Sequence, residues 1–179
     1  TATSATVTNT FTVGDINIEL TETWNTDANN DGDNDSWTAK AVPGVEYAKD
    51  PKVTVKAGSE ACWLFVKISE ANNTMTVNGE TVRIADFAIE NGWTAVTGHA
   101  GYYYCAVTAS AVDQPFNVFA GKGDANLANG YVKINENVTK GQITTANQPT
   151  ITITAAAVQK EGVSETAAWE KLPAEFTNP

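Results

Sequence analysis

The chain has 179 residues, of which 42% are hydrophobic, and a formal net charge of −10. That is enough apolar material for the core of one domain of ordinary size, and the acidic balance argues against a nucleic-acid binder. No apolar run approaches the roughly 20 residues of a membrane-spanning helix, and no basic-then-apolar leader is present. Only 11 Lys and Arg, a single Met and no initiating Met favour an exported protein whose leader has been removed over a cytosolic one.

In chain order, Ala5, Val7, Phe11 and Val13 alternate with polar residues, including Asn9. After Gly14, Ile16, Ile18 and Leu20 alternate with Asp15, Asn17 and Glu19. Period-2 alternation is the mark of half-buried strands, so Ala5, Val7, Phe11 and Val13 are expected to face one way, with a second strand over 15–23. Residues 26–36 are polar throughout and predict a surface loop. A short strand over 37–42 ends at Pro43-Gly44, where Pro presets φ and Gly accepts a positive one, so a tight turn follows. Further strands are predicted over 52–56, over 62–68, apolar on both faces through Val66, and over 75–77 and 80–84 around Asn78-Gly79, a strong hairpin signal. Residues 84–90 have a competing helical reading, since Ile84, Phe87 and Ala88 share a helical face. Strands over 93–96, 102–107, 114–119, 131–134 and 149–159 complete the series. Only the end reads as a helix, with Ser164 as N-cap, Ala167, Ala168, Trp169 and Leu172 as its apolar patch, and Pro173 as its stop. Many short strands with frequent turns predict an all-β, two-sheet, jelly-roll-like sandwich with one or two short peripheral helices.

Catalytic chemistry is sparse. His99 is the only histidine, which excludes a His-Glu-x-x-His zinc site, and no Gly-x-Ser-x-Gly elbow exists to serve a triad. Trp and Tyr can stack on sugars, but Trp63 and Tyr103 stand in predicted strands, where aromatics belong more often to a core. No catalytic residue is assigned. One loop is chemically pointed: Asp27, Asn29, Asp31, Asp33 and Asp35 place oxygen ligands at alternate positions, with Gly32 at the sixth, as in the first half of a calcium loop. Position 12 holds Thr38 instead of a bidentate Glu, so the pattern is no EF-hand. A calcium site of modest affinity and a solvated acidic loop both remain open. Cys62 and Cys105 stand in predicted strands, either bridged or as two buried thiols.

Several stretches in order resemble a known family. Residues 9–22, 42–55 (from Val42-Pro43-Gly44 to Val53-Thr54-Val55), 62–67 and the tail from Pro149 through Gln159-Lys160 to Trp169-Glu170-Lys171-Leu172-Pro173 are similar to the TasA/camelysin-like exported proteins of Gram-positive bacteria. The nearest likeness is to clostridial-type members with a SipW-dependent signal peptide. The resemblance covers about half the chain, and the Asp-rich loop is a local elaboration. It implies a jelly-roll domain, export with leader cleavage, and head-to-tail assembly into biofilm-matrix fibres by donor-strand complementation. On that reading residues 1–13 form the donor strand, carried by Ala5, Val7, Asn9, Phe11 and Val13, with Gly14 as hinge into a domain spanning 14–179, and the partners are copies of the chain itself. The metallopeptidase activity ascribed to camelysin-type members does not carry over, because no histidine pair exists here. The rival expectation is a monomeric extracellular binding module, for instance for carbohydrate, whose first strand pairs within its own sheet.

Overall fold

The two longest apolar stretches of the sequence become neighbours at the centre of the molecule. In a computed structural model describing residues 2–23, 36–139, 141–144 and 146–178, with backbone alone considered at 2–9 and 36–40, β6 (Cys62–Ala71) pairs antiparallel with β14 (Thr150–Gln159). Their register runs from Cys62 opposite Gln159 to Ala71 opposite Thr150. On the far side of β6 lie β11 (Tyr102–Val107) and then β10 (Thr94–Ala95); on the far side of β14 lie β1 (Ala2–Val13) and then β3 (Ser36–Lys40). This makes a six-stranded sheet in the order β10-β11-β6-β14-β1-β3.

A second layer covers one face. It contains β2 (Ile18–Thr21), β5 (Lys52–Val55) and β12 (Gln114–Asn117) as one three-stranded sheet, and β4 (Glu46–Ala48), β13 (Tyr131–Ile134) and β9 (Ala85–Asp86) as another. Backbone bonds between the segments that follow β9 and β12 knit the two together: Glu90 N–H donates to Val118 O at 3.0 Å, and Ala120 N–H to Ala88 O at 2.8 Å. The interlayer core follows from the alternation. Leu64, Val66, Ile151, Ile153, Ala155 and Ala157 point down from the large sheet onto Val53, Val55, Val132, Ile134 and Phe119, all fully or almost fully buried. Each Val, Leu or Ile so buried contributes on the order of 1.5–3 kcal/mol.

The opposite face is aromatic and is covered by two short helices. Residues in register across four strands, Tyr104, Phe65, Ala156 and Phe11, form a row from β11 to β1. Over it lie α1 (Glu165–Lys171) and α2 (Ala174–Thr177), which bury Ala168, Leu172 and Phe176. Ser164 caps α1 by accepting from Ala167 N–H at 3.2 Å, as the sequence predicts. Two side chains fasten this segment to the sheet: Trp63 Nε1–H donates to Val163 O at 2.7 Å, and the buried Tyr102 hydroxyl donates to Phe176 O at 3.0 Å.

The all-β sandwich with two peripheral helices is therefore the observed class. The hairpin β7 (Thr74–Val77) to β8 (Glu80–Arg83) turns through Asn78 (φ 51°) and Gly79 (φ 85°), the paired positive angles that favour Asn-Gly. Pro43-Gly44 also turns as expected, with Gly44 at φ 74° and Val45 N–H donating to Val42 O. Residues 84–90 are not helical: they supply β9 and a bridge from Ile89 to Phe119. The strand expected over 15–23 is shorter, because Asn17 and Asp15 spend their carbonyls on Lys56 and Glu60 N–H groups outside a regular ladder.

One pairing was not foreseen. β1 runs parallel to β14, from Ser4 opposite Thr150 to Val13 opposite Val158, with an irregularity between Val7 and Thr10. Two residues, Thr8 and Asn9, there stand against Thr154 alone, which is a bulge. A one-residue shift exchanges the faces of a strand. Ala5 and Val7 hold the register of Ile151 and Ile153, core-side positions, whereas Phe11 and Val13 hold that of Ala156 and Val158, on the helix side. The expectation that all four face one way is corrected by this bulge, with Asn9 inside it.

Candidate functional site: the seat of the first strand

The candidate site is the slot that β1 occupies. Its floor is the edge of β14, whose other edge is held by β6, so the slot is built by elements remote in sequence from its occupant. Ala2–Thr6 pair on their outer side with β3, whereas Thr10–Val13 have β14 as their ladder partner among the described residues. The strand thus begins as an interior strand and ends as an edge.

Among the described side chains of β1, Phe11 is the anchor. Its ring meets Phe176 edge-on at 6.3 Å, and Phe176 in turn meets Tyr102 at 5.6 Å. Val13, two residues on, is 39% exposed. Gly14 then reverses the chain at φ 105°, a conformation L side chains rarely adopt, and a Cβ there would stand 2.9 Å from the Gln159 Cβ. Glycine is needed at this joint both for its angle and for its closeness to the end of β14. Gly14, the expected hinge residue, thus stands at the joint where β1 meets the body.

In the single chain, residues 2–13 lie in their own sheet, with Thr1 outside the described residues. This differs from the expectation that the strand sits in a neighbour's sheet. The physical reason is plain: a slot lined by β14 and β3 is satisfied by the strand tethered to it, which is at high effective concentration.

Two of the features that the sequence singled out lie elsewhere. Asp27, Asn29, Asp31, Asp33 and Asp35 fall outside the described residues; among those that are described, no group of three or more His, Cys, Asp or Glu converges on a metal position. Cys62 and Cys105 are free thiols. They share a sheet face but sit diagonally, Cys105 opposite Leu64 and Cys62 opposite Val107, and a cross-strand bridge wants closer partners. Burial pushes the Cys62 thiol up to about 11; burial, with Cys62 adding to it, pushes Cys105 up to about 12, so neither is poised as a nucleophile.

His99 lies exposed on the turn between β10 and β11, its ring stacked on Trp169 at 4.2 Å. Next to the start of the Asp-rich segment, Glu22 and Lys49 form an almost fully buried ion pair, and Asp50 accepts from both the N–H and the hydroxyl of Thr23. Burial raises the Glu22 pKa in spite of Lys49, and burial lowers that of Lys49 in spite of Glu22.

Sequence reasoning missed Phe176, Trp169 and Gln159 as partners of β1 and of its aromatic row. A signal was present: Ala168, Leu172 and Phe176 stand at i, i+4 and i+8, the spacing of one helical face, broken by Pro173 without losing its direction. Comparison of the chain with protein-family models, with curated proteins and with solved structures finds no match.

Proposed function

We propose that the chain is the structural subunit of an extracellular filament, assembled head to tail by passing β1 into the slot beside β14 of the next copy. The observation that supports this reading is the seat itself: β1 fills a slot made by strands distant in sequence and joins the body through one positive-φ glycine. A strand exchanged between copies keeps the same register, the same Phe11–Phe176 contact and the same hydrogen bonds, so exchange costs little apart from opening, and concentration decides the outcome. The contact is heterologous and does not close on itself, which gives an open polymer. Calcium in the Asp27–Asp35 loop belongs to the same proposal as a stiffener of a surface turn; isothermal titration with calcium showing no heat up to millimolar metal would remove it.

The second reading is a monomeric extracellular binding module, favoured by the closed arrangement of β1 within its own sheet. Electron microscopy of the purified chain, with and without residues 1–10, separates the two. Filaments that vanish on deletion while the body stays folded support the subunit; a strictly monomeric full chain whose truncated form unfolds supports the module.

A further inference from the structure

On the helix side of the large sheet, away from β1, the aromatic row ends in an open groove of about 270 Å³. Phe65, Tyr104 and Trp169 form its walls, and Glu165 and Glu170 of α1 stand among its lining residues. The turn carrying His99 closes one side, and it is a built feature. Gly101 (φ 86°) approaches Ile68 O so closely that a Cβ would stand 2.8 Å from it, and its own carbonyl accepts from Ile68 N–H.

Three observations narrow the ligand. First, among the described residues no lysine or arginine lines the groove, and neither Glu165 nor Glu170 has an ion-pair partner. An anion is disfavoured there, and two carboxylates are left facing water. Second, the same aromatic cluster already takes cations where the chain supplies them: Lys67 Nζ stands 5.5 Å from the Tyr102 ring centre and Lys160 Nζ 5.1 Å from that of Trp63. Third, one face of Trp169 is covered by His99 and its ring also meets Tyr102 edge-on at 5.0 Å, so it is not a free platform for a sugar ring.

We propose that this groove binds an alkylammonium group, from a free amine or from a lysine side chain of another polypeptide, held by the Tyr104 ring and by the carboxylates of Glu165 and Glu170, with Trp169 as a wall beside it. The charge is complementary, the volume suits a single alkylammonium head and stem, and the proposal stands whether or not the chain polymerises.

The test is a titration followed by the indole N–H resonance of Trp169 in ¹H–¹⁵N spectra at constant ionic strength, with butylammonium chloride and with Nα-acetyl-lysine methylamide. Saturable shifts with millimolar affinity are expected, weakened at least tenfold in Glu165→Gln/Glu170→Gln, a change at one half-buried and one exposed carboxylate whose fold is checked by an unchanged urea midpoint. Tighter binding of the lysine derivative marks a polypeptide as the source, and tighter binding of butylammonium marks a free amine. Equal shifts with 1-butanol would reduce the groove to an apolar crease. Shifts with methyl glucoside but not with amines would make it a sugar site, and a linear response matching sodium chloride would leave no site at all; each of these overturns the proposal.

Discussion

The two faces of the six-stranded sheet solve the same problem with different materials. The face toward the second layer is aliphatic: Leu64, Val66, Ile151 and Ile153 interdigitate with Val53, Val55, Val132 and Ile134, and sheet against sheet needs nothing more directional than alternation. The other face is aromatic, and its cover is two helices of 7 and 4 residues that would not hold their shape in isolation. They are placed by hydrogen bonds from Trp63 and Tyr102 and by the Tyr102 ring, set edge-on to Trp169 at 5.0 Å and to Phe176 at 5.6 Å. The aliphatic face is thus the base of global stability, whereas the aromatic face holds Phe11 of the first strand and carries the open groove beside α1.

The contrast can be broken from either side. Leu64→Ala, in the fully buried aliphatic face, is expected to lose about 2–5 kcal/mol of global stability, read by urea unfolding. Phe176→Ala is expected to cost about 3 kcal/mol, at the low end of the range for a buried ring since the helices can settle. Its signature is different, however: hydrogen exchange should accelerate in β1 and the α1–α2 segment ahead of β6 and β14. Uniform acceleration in every strand would show that the two faces are not separable. Gly14→Ala forces a side chain into φ 105° and against Gln159, with an expected loss of about 1–3 kcal/mol and looser docking of β1. The smallest change is Ser164→Ala, which removes the cap of α1 for about 1 kcal/mol, with near-ultraviolet dichroism of the aromatic face reporting the looser helix.

The second layer carries a dependence on pH of its own. Burial holds the Glu22 pKa above 4.5, so the folded chain keeps this proton longer than the unfolded one, and the contribution is present in acid and lost as pH rises from about 4.5 through the folded value. Burial holds Lys49 below 10.5, so the folded chain gives up this proton sooner, and its contribution grows as pH rises toward 10.5. Relative to Glu22→Gln/Lys49→Met, the natural chain is therefore expected to lose stability between about pH 4.5 and neutrality, as measured by urea midpoints across that range. An unchanged difference would mean that the pair is solvated.

Local chemistry made much of this fold legible. The run Cys62 to Ile68 reads as a central strand because both its faces are apolar, and both are buried. Asn78-Gly79, Pro43-Gly44 and the Ser164 cap each act through a backbone requirement that the sequence states directly. The bulge at Thr8 and Asn9 was not legible, since alternation on either side of it looks continuous and nothing but the partner strand reveals the shift. Parallel pairing of β1 with β14 joins segments some 145 residues apart, taking Ser4 and Thr150 as the reference, and such closure leaves no local mark. Residues 84–90 went astray for the opposite reason: an apolar spacing compatible with a helix was overruled by Phe119 and β13, which offer strand partners. Of the candidate site, Gly14 and Phe11 were visible as sequence features, while their partners Gln159 and Phe176 were visible only through contact.

The central claim is that β1 of one copy fills the slot of another, and mixed-population cross-linking tests it most directly. One population carries Val13→Cys, the other Gln159→Cys, two positions that lie close where β1 ends on β14, the first exposed and the second half-buried. Of the natural thiols Cys62 is buried and Cys105 half-buried, and burial raises both, so the unsubstituted chain treated with the same short bismaleimide is the control for reaction at either. After incubation at high concentration the mixture is expected to yield a covalent pair containing one chain of each kind. If no covalent pair forms between the two populations, while a chain made with both substitutions cross-links within itself, the strand stays at home and the account is contradicted.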